Sequence, residues 1–205
     1  MPTPETARLV VLVSGSGTNL QALLDAARRK SLRARVALVI SDRAEAPALA
    51  RARRAGVAAH FVNPRNFSTR GEFERALIGL CEEHEVRLVC LAGFMRMLSK
   101  VFVGRYRHRI LNVHPALLPA FPGAHAIRDA LAWGAKVTGV TVHFVDEEMD
   151  HGPIILQEAV PIRRGETETR LLSRVHRVEH QLYAKAVGLV LAGRVRVDGR
   201  RVHLT

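Results

Sequence analysis

Apolar positions along the chain follow two rhythms. Residues 8–13 (RLVVLV) are continuously apolar, as in central parallel strands buried on both faces. The run passes into Ser14-Gly-Ser-Gly-Thr-Asn19, and Leu20, Leu23, Leu24 and Ala27 then recur at helical spacing, which predicts a helix from residue 18 or 19 to about 30. The alternation continues. Residues 34–40 (ARVALVI) read as a second strand and 46–56 as an Ala/Arg-rich helix closed by Gly56. Residues 57–62 read as a third strand, and a helix capped by Ser68 or Thr69 runs to about 85. Residues 86–92 (VRLVCLA) are a fourth strand and 101–106 a short helix. Strand and helix at these intervals imply right-handed crossovers, hence a parallel sheet with helices on both faces.

The next apolar strand, residues 109–113, leads into Asn112-Val-His114 and then Pro115 and Pro119. Side chains two apart on a strand share a face, so Asn112 and His114 project together at its exit. Pro115 holds His114 extended and Pro119 delays any helix, so the chain continues as a loop. Loops at the carboxyl ends of strands are where open α/β sheets bind ligands.

Past Pro122-Gly123 the rhythm changes. A short helix is predicted over 126–133, and two β-rich runs, 136–145 and 152–161, are too close to enclose a helix and should pair antiparallel. A long amphipathic helix follows over about 167–192. Residues 195–197, Asp198-Gly199 and 200–204 read as a hairpin with a type I′ turn. The expected class is α/β: an open, mostly parallel twisted sheet flanked by helices on both faces, with antiparallel strands in the C-terminal half.

Composition narrows the function. The chain has 205 residues, 48% hydrophobic and 24% charged, as expected for one globular domain. No apolar run approaches the roughly 18 residues of a membrane helix, and residues 1–8 lack a signal-peptide core. A cytoplasmic protein without membrane association is expected. Cys81 and Cys90 form no CxxC pair and no zinc-spaced cluster, so they are read as buried thiols, with neither disulfide nor metal. The net charge of +12 raises nucleic acid as a partner. Its distribution argues against one: 27 of the 31 basic residues are Arg, scattered in no run longer than Arg28-Arg29-Lys30, and aromatics are only 5%.

Two constellations carry chemistry. The Gly15-Ser16-Gly17-Thr18-Asn19 turn aims backbone N–H groups and a helix dipole at one spot, an environment suited to phosphate. It is neither a Walker loop nor a GxGxxG fingerprint, because Leu20 stands where the last glycine would be. Asn112 and His114 are the second, with Asp150 as companion in the acidic loop Val145-Asp-Glu-Glu-Met-Asp-His-Gly152. A carboxylate can orient an imidazole, and an adjacent amide can donate to a developing oxyanion. Composition does not decide which acid of that loop matters. A nucleophile is missing: there is no GxSxG elbow and no cysteine beside a histidine, so the attacking atom is expected to belong to a substrate.

Four motifs together, Val13-Ser-Gly-Ser-Gly-Thr-Asn-Leu20, Leu91-Ala-Gly-Phe-Met-Arg-Met-Leu98, Leu111-Asn-Val-His-Pro-Ala-Leu-Leu-Pro119 and the segment from Val142 to Gln157, resemble the phosphoribosylglycinamide formyltransferases, the folate-dependent enzymes of purine synthesis. The resemblance implies a Rossmann-like formyltransferase fold in one domain. A phosphate-binding half would occupy about 1–92, a folate-binding and catalytic half about 93–192, and the hairpin 194–205. It implies catalysis by Asn112, His114 and Asp150. The ribonucleotide would be held by Gly15, Ser16, Gly17, Thr18, Asn19, His176 and Glu179. The 10-formyltetrahydrofolate cosubstrate would be contacted by Arg70, Met95, Arg96, Met97, Leu98, Asn112, Val145, Asp146, Glu147 and Asp150. Partners would be these two small molecules, with the chain a monomer or homodimer. Ala116 stands where the family usually has Ser, and His176 where Gln is expected. Methionyl-tRNA formyltransferase and formyltetrahydrofolate deformylase share the core but carry further domains for which 205 residues leave no room. A phosphate- or nucleic-acid-binding module without catalysis is the remaining alternative.

Overall fold

The computed structural model describes residues 6–205; the first five, which include most of the segment read as lacking a signal core, lie outside the described residues. Two compact units are present, Met1–Ile110 and Leu111–Thr205.

In the first unit, strands β1 (Ala7–Val13), β2 (Ala34–Ser41), β3 (Ala58–Phe61) and β4 (Leu88–Leu91) run parallel in the order β3-β2-β1-β4. Leu9 to Val13 are fully buried, as continuous apolarity requires of a central strand. Helices α1 (Thr18–Arg28), α2 (Pro47–Arg54), α3 (Arg70–Glu83) and α4 (Lys100–Arg105) fill the connections. On α1 the buried face is Leu20, Leu23, Leu24 and Ala26, so Ala26 replaces the expected Ala27. Helix α1 ends at Arg28, two residues short of expectation, because Lys30 turns to φ +57°. Pro47 opens α2 at a position where its missing N–H costs nothing. Gly56 closes it at φ +71°, with Gly56 N donating to the Arg53 carbonyl and Val57 N to that of Ala52. That double closure is the reason glycine stands there. Thr69, not Ser68, caps α3, in a reciprocal capping box with Glu72.

In the second unit, β5 (Ile110–His114, all but its first residue), β6 (Val137–Phe144) and β7 (Ile154–Pro161) pair antiparallel in that order. Strands β1 to β7 belong to one mostly parallel sheet. Helix α5 (Ala126–Trp133) has the predicted bounds, and α6 (Glu168–Leu191) packs on β6 and β7 through Leu171, Val175, Leu182, Tyr183, Ala186 and Val187. The Tyr183 hydroxyl donates to the Leu111 carbonyl at 2.9 Å, tying α6 to the strand that carries Asn112 and His114. Gly139 admits the loop after that strand, since a Cβ there would lie 2.5 Å from Leu117 Cδ2.

The terminal hairpin, β8 (Val195–Asp198) and β9 (Arg201–Leu204), departs from expectation. Asp198 pairs with Arg201, so the two-residue turn is Gly199-Arg200 rather than Asp198-Gly199. A type I′ turn needs positive φ at both central residues; Gly199 has φ +57° and Arg200 does not share it, so the turn is of the kind with glycine first.

Candidate active site

The site is built on one face of β5, β6 and β7. Antiparallel register sets Asn112 opposite His143 and His114 opposite Thr141, with Gln157 beside Thr141 on β7. By strand alternation these residues share one face, on which His114, Thr141 and His143 form a patch of buried polar side chains. Every polar group removed from water must find a partner. Thr141 Oγ1 donates to the Ala116 carbonyl at 2.6 Å and accepts from Leu118 N at 3.0 Å and Gln157 Nε2 at 2.9 Å; Gln157 Nε2 also lies 2.9 Å from the Leu118 carbonyl. These bonds fix the loop that leaves His114.

Asp150 meets the patch from the loop between β6 and β7. Its Oδ2 lies 3.3 Å from His114 Nδ1 and accepts from Gly123 N at 2.8 Å, while Oδ1 accepts from Asn112 Nδ2 at 3.3 Å. The three residues expected to act together are therefore in contact. His114 Nε2 lies 2.8 Å from the Phe121 carbonyl, so both ring nitrogens face acceptors. Asp150 and Phe121 hold φ of +50° and +52°, conformations uncommon outside glycine and costly for an aromatic residue. Gly152 lets the loop turn back: a Cβ there would lie 1.9 Å from the Phe144 carbonyl oxygen.

His143 is a member of the cluster that sequence reading missed. Its Nδ1 lies 2.8 Å from the Phe144 carbonyl, its Nε2 is 3.2 Å from Asn112 Nδ2, and Asp150 Oδ1 is 3.8 Å away. Burial pushes the His143 pKa below its ordinary value, against the opposing pull of the Phe144 carbonyl and Asp150. The neutral ring carries its proton on Nδ1 and offers the Nε2 lone pair to Asn112. Asn112 thus has acceptors on both sides of its nitrogen, which fixes the orientation of the amide. The signal was in the sequence, since His143 lies one residue from Val142 in an alternating run whose other inward positions are apolar or Thr.

The other expected contacts divide between the units. In the first, Gly17 stands at φ +74° as the residue before α1, and a Cβ on it would fall 2.7 Å from that of Ala48. Helix α2 closes over the turn: Ala48 N donates to the Gly15 carbonyl at 3.2 Å and Arg51 Nε to that of Ser16 at 2.8 Å. No side chain caps α1, whose first residues are Thr18 and Asn19. Met95 N donates to Ser14 Oγ, which in turn donates to Asp42. Met95 and Met97 are exposed, Leu98 is buried, and the Arg96 guanidinium lies 5.5 Å over the Phe73 ring. Arg70 donates to Glu74 at 3.1 Å and to the Met97 carbonyl. Glu74 is fully buried and accepts from Ser99 N at 2.7 Å and from the Ser99 hydroxyl. This carboxylate, absent from the expected set, anchors Ser99 directly and the Met97 carbonyl through Arg70. A cavity of about 780 Å³ lined by Gln21, Asp25, Arg28, Arg35, Arg51 and Arg54 includes none of the expected site residues.

In the second unit, Val145, Asp146 and Glu147 lie on the loop that carries Asp150, with Glu147 exposed. On α6, Glu179 is buried and its Oε2 lies 3.9 Å from His176 Nε2; the His176 ring stacks on His180. Burial lowers the pKa of both histidines.

The patch offers no nucleophile of its own. Its hydroxyl, on Thr141, is committed to three partners. Among the described residues no group of three or more His, Cys, Asp and Glu is arranged to hold a metal ion. No helix among them is long and apolar enough to cross a membrane. An imidazole held by a carboxylate beside an oriented amide can donate to a developing oxyanion and suits a reaction between two bound substrates. The chain belongs to the formyl transferase family, which matches residues 7–187. It is 41% identical to the phosphoribosylglycinamide formyltransferase of Escherichia coli (strain K12) over 201 residues, covering 95% of each chain. It is 45% identical to the trifunctional purine biosynthetic protein adenosine-3 of Bos taurus, covering 95% of this chain and spanning 19% of that protein's length. Among solved structures, glycinamide ribonucleotide transformylase 1 from Symbiobacterium toebii superposes with a TM-score of 0.96 at 49% identity, over 98% of this chain and 95% of that one.

Proposed function

We propose that this formyltransferase transfers the formyl group of 10-formyltetrahydrofolate to the amine of 5-phosphoribosylglycinamide, a step of purine synthesis, without a metal. The observation that carries the reading is the contact of Asp150 with both His114 and Asn112 in a chain 41% identical, nearly end to end, to a phosphoribosylglycinamide formyltransferase.

The substrate amine attacks the formyl carbon and negative charge develops on the formyl oxygen. His114 Nε2 and, once it releases its 3.3 Å bond to Asp150 Oδ1, Asn112 Nδ2 are the donors that receive it. In the resting site the His114 Nε2 faces a neutral carbonyl, that of Phe121. Exchanging that acceptor for an oxyanion strengthens the bond only as charge develops, which is how binding is spent on the transition state. Asp150 holds the ring through Nδ1. The amine then loses a proton, the bond from the formyl carbon to the folate nitrogen breaks, and that nitrogen takes up a proton.

The turn from Gly15 to Asn19 would hold the phosphate, with His176 and Glu179 toward the ribose. Arg70, the segment from Met95 to Leu98, and Val145 to Asp150 would contact the folate. The partners are these small molecules, the chain acts in the cytoplasm as a monomer or homodimer, and neither nucleic acid nor membrane takes part. Incubation of the purified protein with both substrates should release tetrahydrofolate, followed by absorbance, only when the ribonucleotide is present. Release without the ribonucleotide would instead mark a hydrolase, and no release would refute the proposal.

A further inference from the structure

The turn of the terminal hairpin reaches back to the loop that carries Asp150. Arg200 Nη2 donates to the His151 carbonyl at 2.7 Å, across 49 residues of sequence, and Nη1 lies 2.8 Å from His151 Nε2. Nη1 also lies 3.3 Å from Nδ1 of the same ring, which is 2.8 Å from Asp146 Oδ2, and Asp146 Oδ1 accepts from Glu148 N at 3.1 Å. The tautomer with hydrogen on Nδ1 donates to Asp146 and leaves the Nε2 lone pair as the acceptor for the shorter contact from Arg200. Guanidinium, imidazole and carboxylate thus bracket residues 146–151, and Asp150, at φ +50°, lies inside the bracket. The hairpin lies beyond the 7–187 span matched by the formyl transferase family, and β9 packs on β7.

We propose that Arg200 is a positioning residue: the hairpin is a clasp that holds the 146–151 loop so that Asp150 faces His114 and Asn112. The inference rests on the formyl-transfer reading above. Asp146 and His151 are 29% and 44% exposed, so the bonds contribute little to global stability. They act on the loop's conformational spread, since a residue held at an uncommon φ persists only when its surroundings over-determine it.

The test compares Arg200→Ala and Arg200→Lys with the intact chain. For Arg200→Ala, kcat is expected to fall about tenfold and KM for the formylfolate to rise, with KM for the ribonucleotide and the melting temperature unchanged. Amide hydrogen exchange across 146–151 should quicken in the same variant. Arg200→Lys, which keeps one donor for the His151 carbonyl, should recover part of kcat. Wild-type kcat and unchanged exchange in Arg200→Ala would overturn the proposal; so would a uniform loss on both substrates with a lowered melting temperature. If the intact chain transfers no formyl group, the proposed function fails while the exchange measurement still judges the clasp.

Discussion

Nε2 of His143 lies 3.2 Å from Nδ2 of Asn112, across the pairing of β6 with β5. A neutral ring accepts that bond, and burial keeps His143 neutral. The ring therefore orients the amide that is proposed to meet the oxyanion. Removing it by His143→Ala should lower kcat about five- to tenfold, as expected for one oriented hydrogen bond of about 1 kcal/mol. KM should move little. Steady-state kinetics decides, and an unchanged kcat would dismiss the role.

Asp150→Asn separates charge from shape, because Asn tolerates positive φ as well as Asp does. The loop should keep its course while the acceptor for His114 Nδ1 weakens. We expect kcat to fall by roughly 10²–10⁴-fold, the range of a lost acid–base partner, with an unaltered circular dichroism spectrum. Near-normal turnover would remove Asp150 from the mechanism.

Gly152→Ala tests the loop by steric means. Its Cβ would fall 1.9 Å from a backbone oxygen that cannot swing aside. Denaturant unfolding should show a loss of about 3 kcal/mol, in the range for buried backbone clashes, together with loss of activity. A fully stable Gly152→Ala would contradict the described turn.

Glu74→Ala strips Ser99 N and the Arg70 guanidinium of their acceptor. Unsatisfied groups of this kind cost about 1–3 kcal/mol. Because the same carboxylate anchors the 95–99 segment, KM for the formylfolate should also rise. Glu74→Gln keeps an acceptor oxygen and should be milder in both respects.

Acid should destabilise the protein through its buried imidazoles. His143, His176 and His180 all have folded-state pKa values lowered, chiefly by burial. Between those lowered values and the unfolded value of about 6.5, the unfolded chain binds more protons, so stability rises with pH. The contribution is complete above about 6.5 and is lost as pH falls below it. Melting temperatures measured from pH 7.5 to 5.5 should decline, and His143→Phe should flatten the decline. A rising or flat profile for the unmodified chain would refute this.

The strands and helices were legible because their patterns are long and unambiguous: RLVVLV allows only a buried strand, and Pro47 and Gly56 mark the ends of α2. Asn112 and His114 were legible from their two-residue spacing, and Asp150 only with the family resemblance, since the loop holds four acids and spacing does not choose among them. His143 and Glu74 were not singled out. His143 stands in a β-branched run and Glu74 among several charges on α3, and the role of each comes from a partner 31 or 25 residues away. The hairpin turn was misplaced by one residue because Asp-Gly is the stronger local turn signal, whereas pairing of Asp198 with Arg201 decided the register.

Helix α1 follows a glycine, which brings no side chain to cap its opening amides. A serine or aspartate there would complete the helix in the empty enzyme and compete with any anion arriving from solution. Where the proposed function puts the ribonucleotide phosphate, that anion would act as the missing cap. Occupancy should then protect the first turn of α1 from exchange and raise the melting temperature as substrate concentration increases.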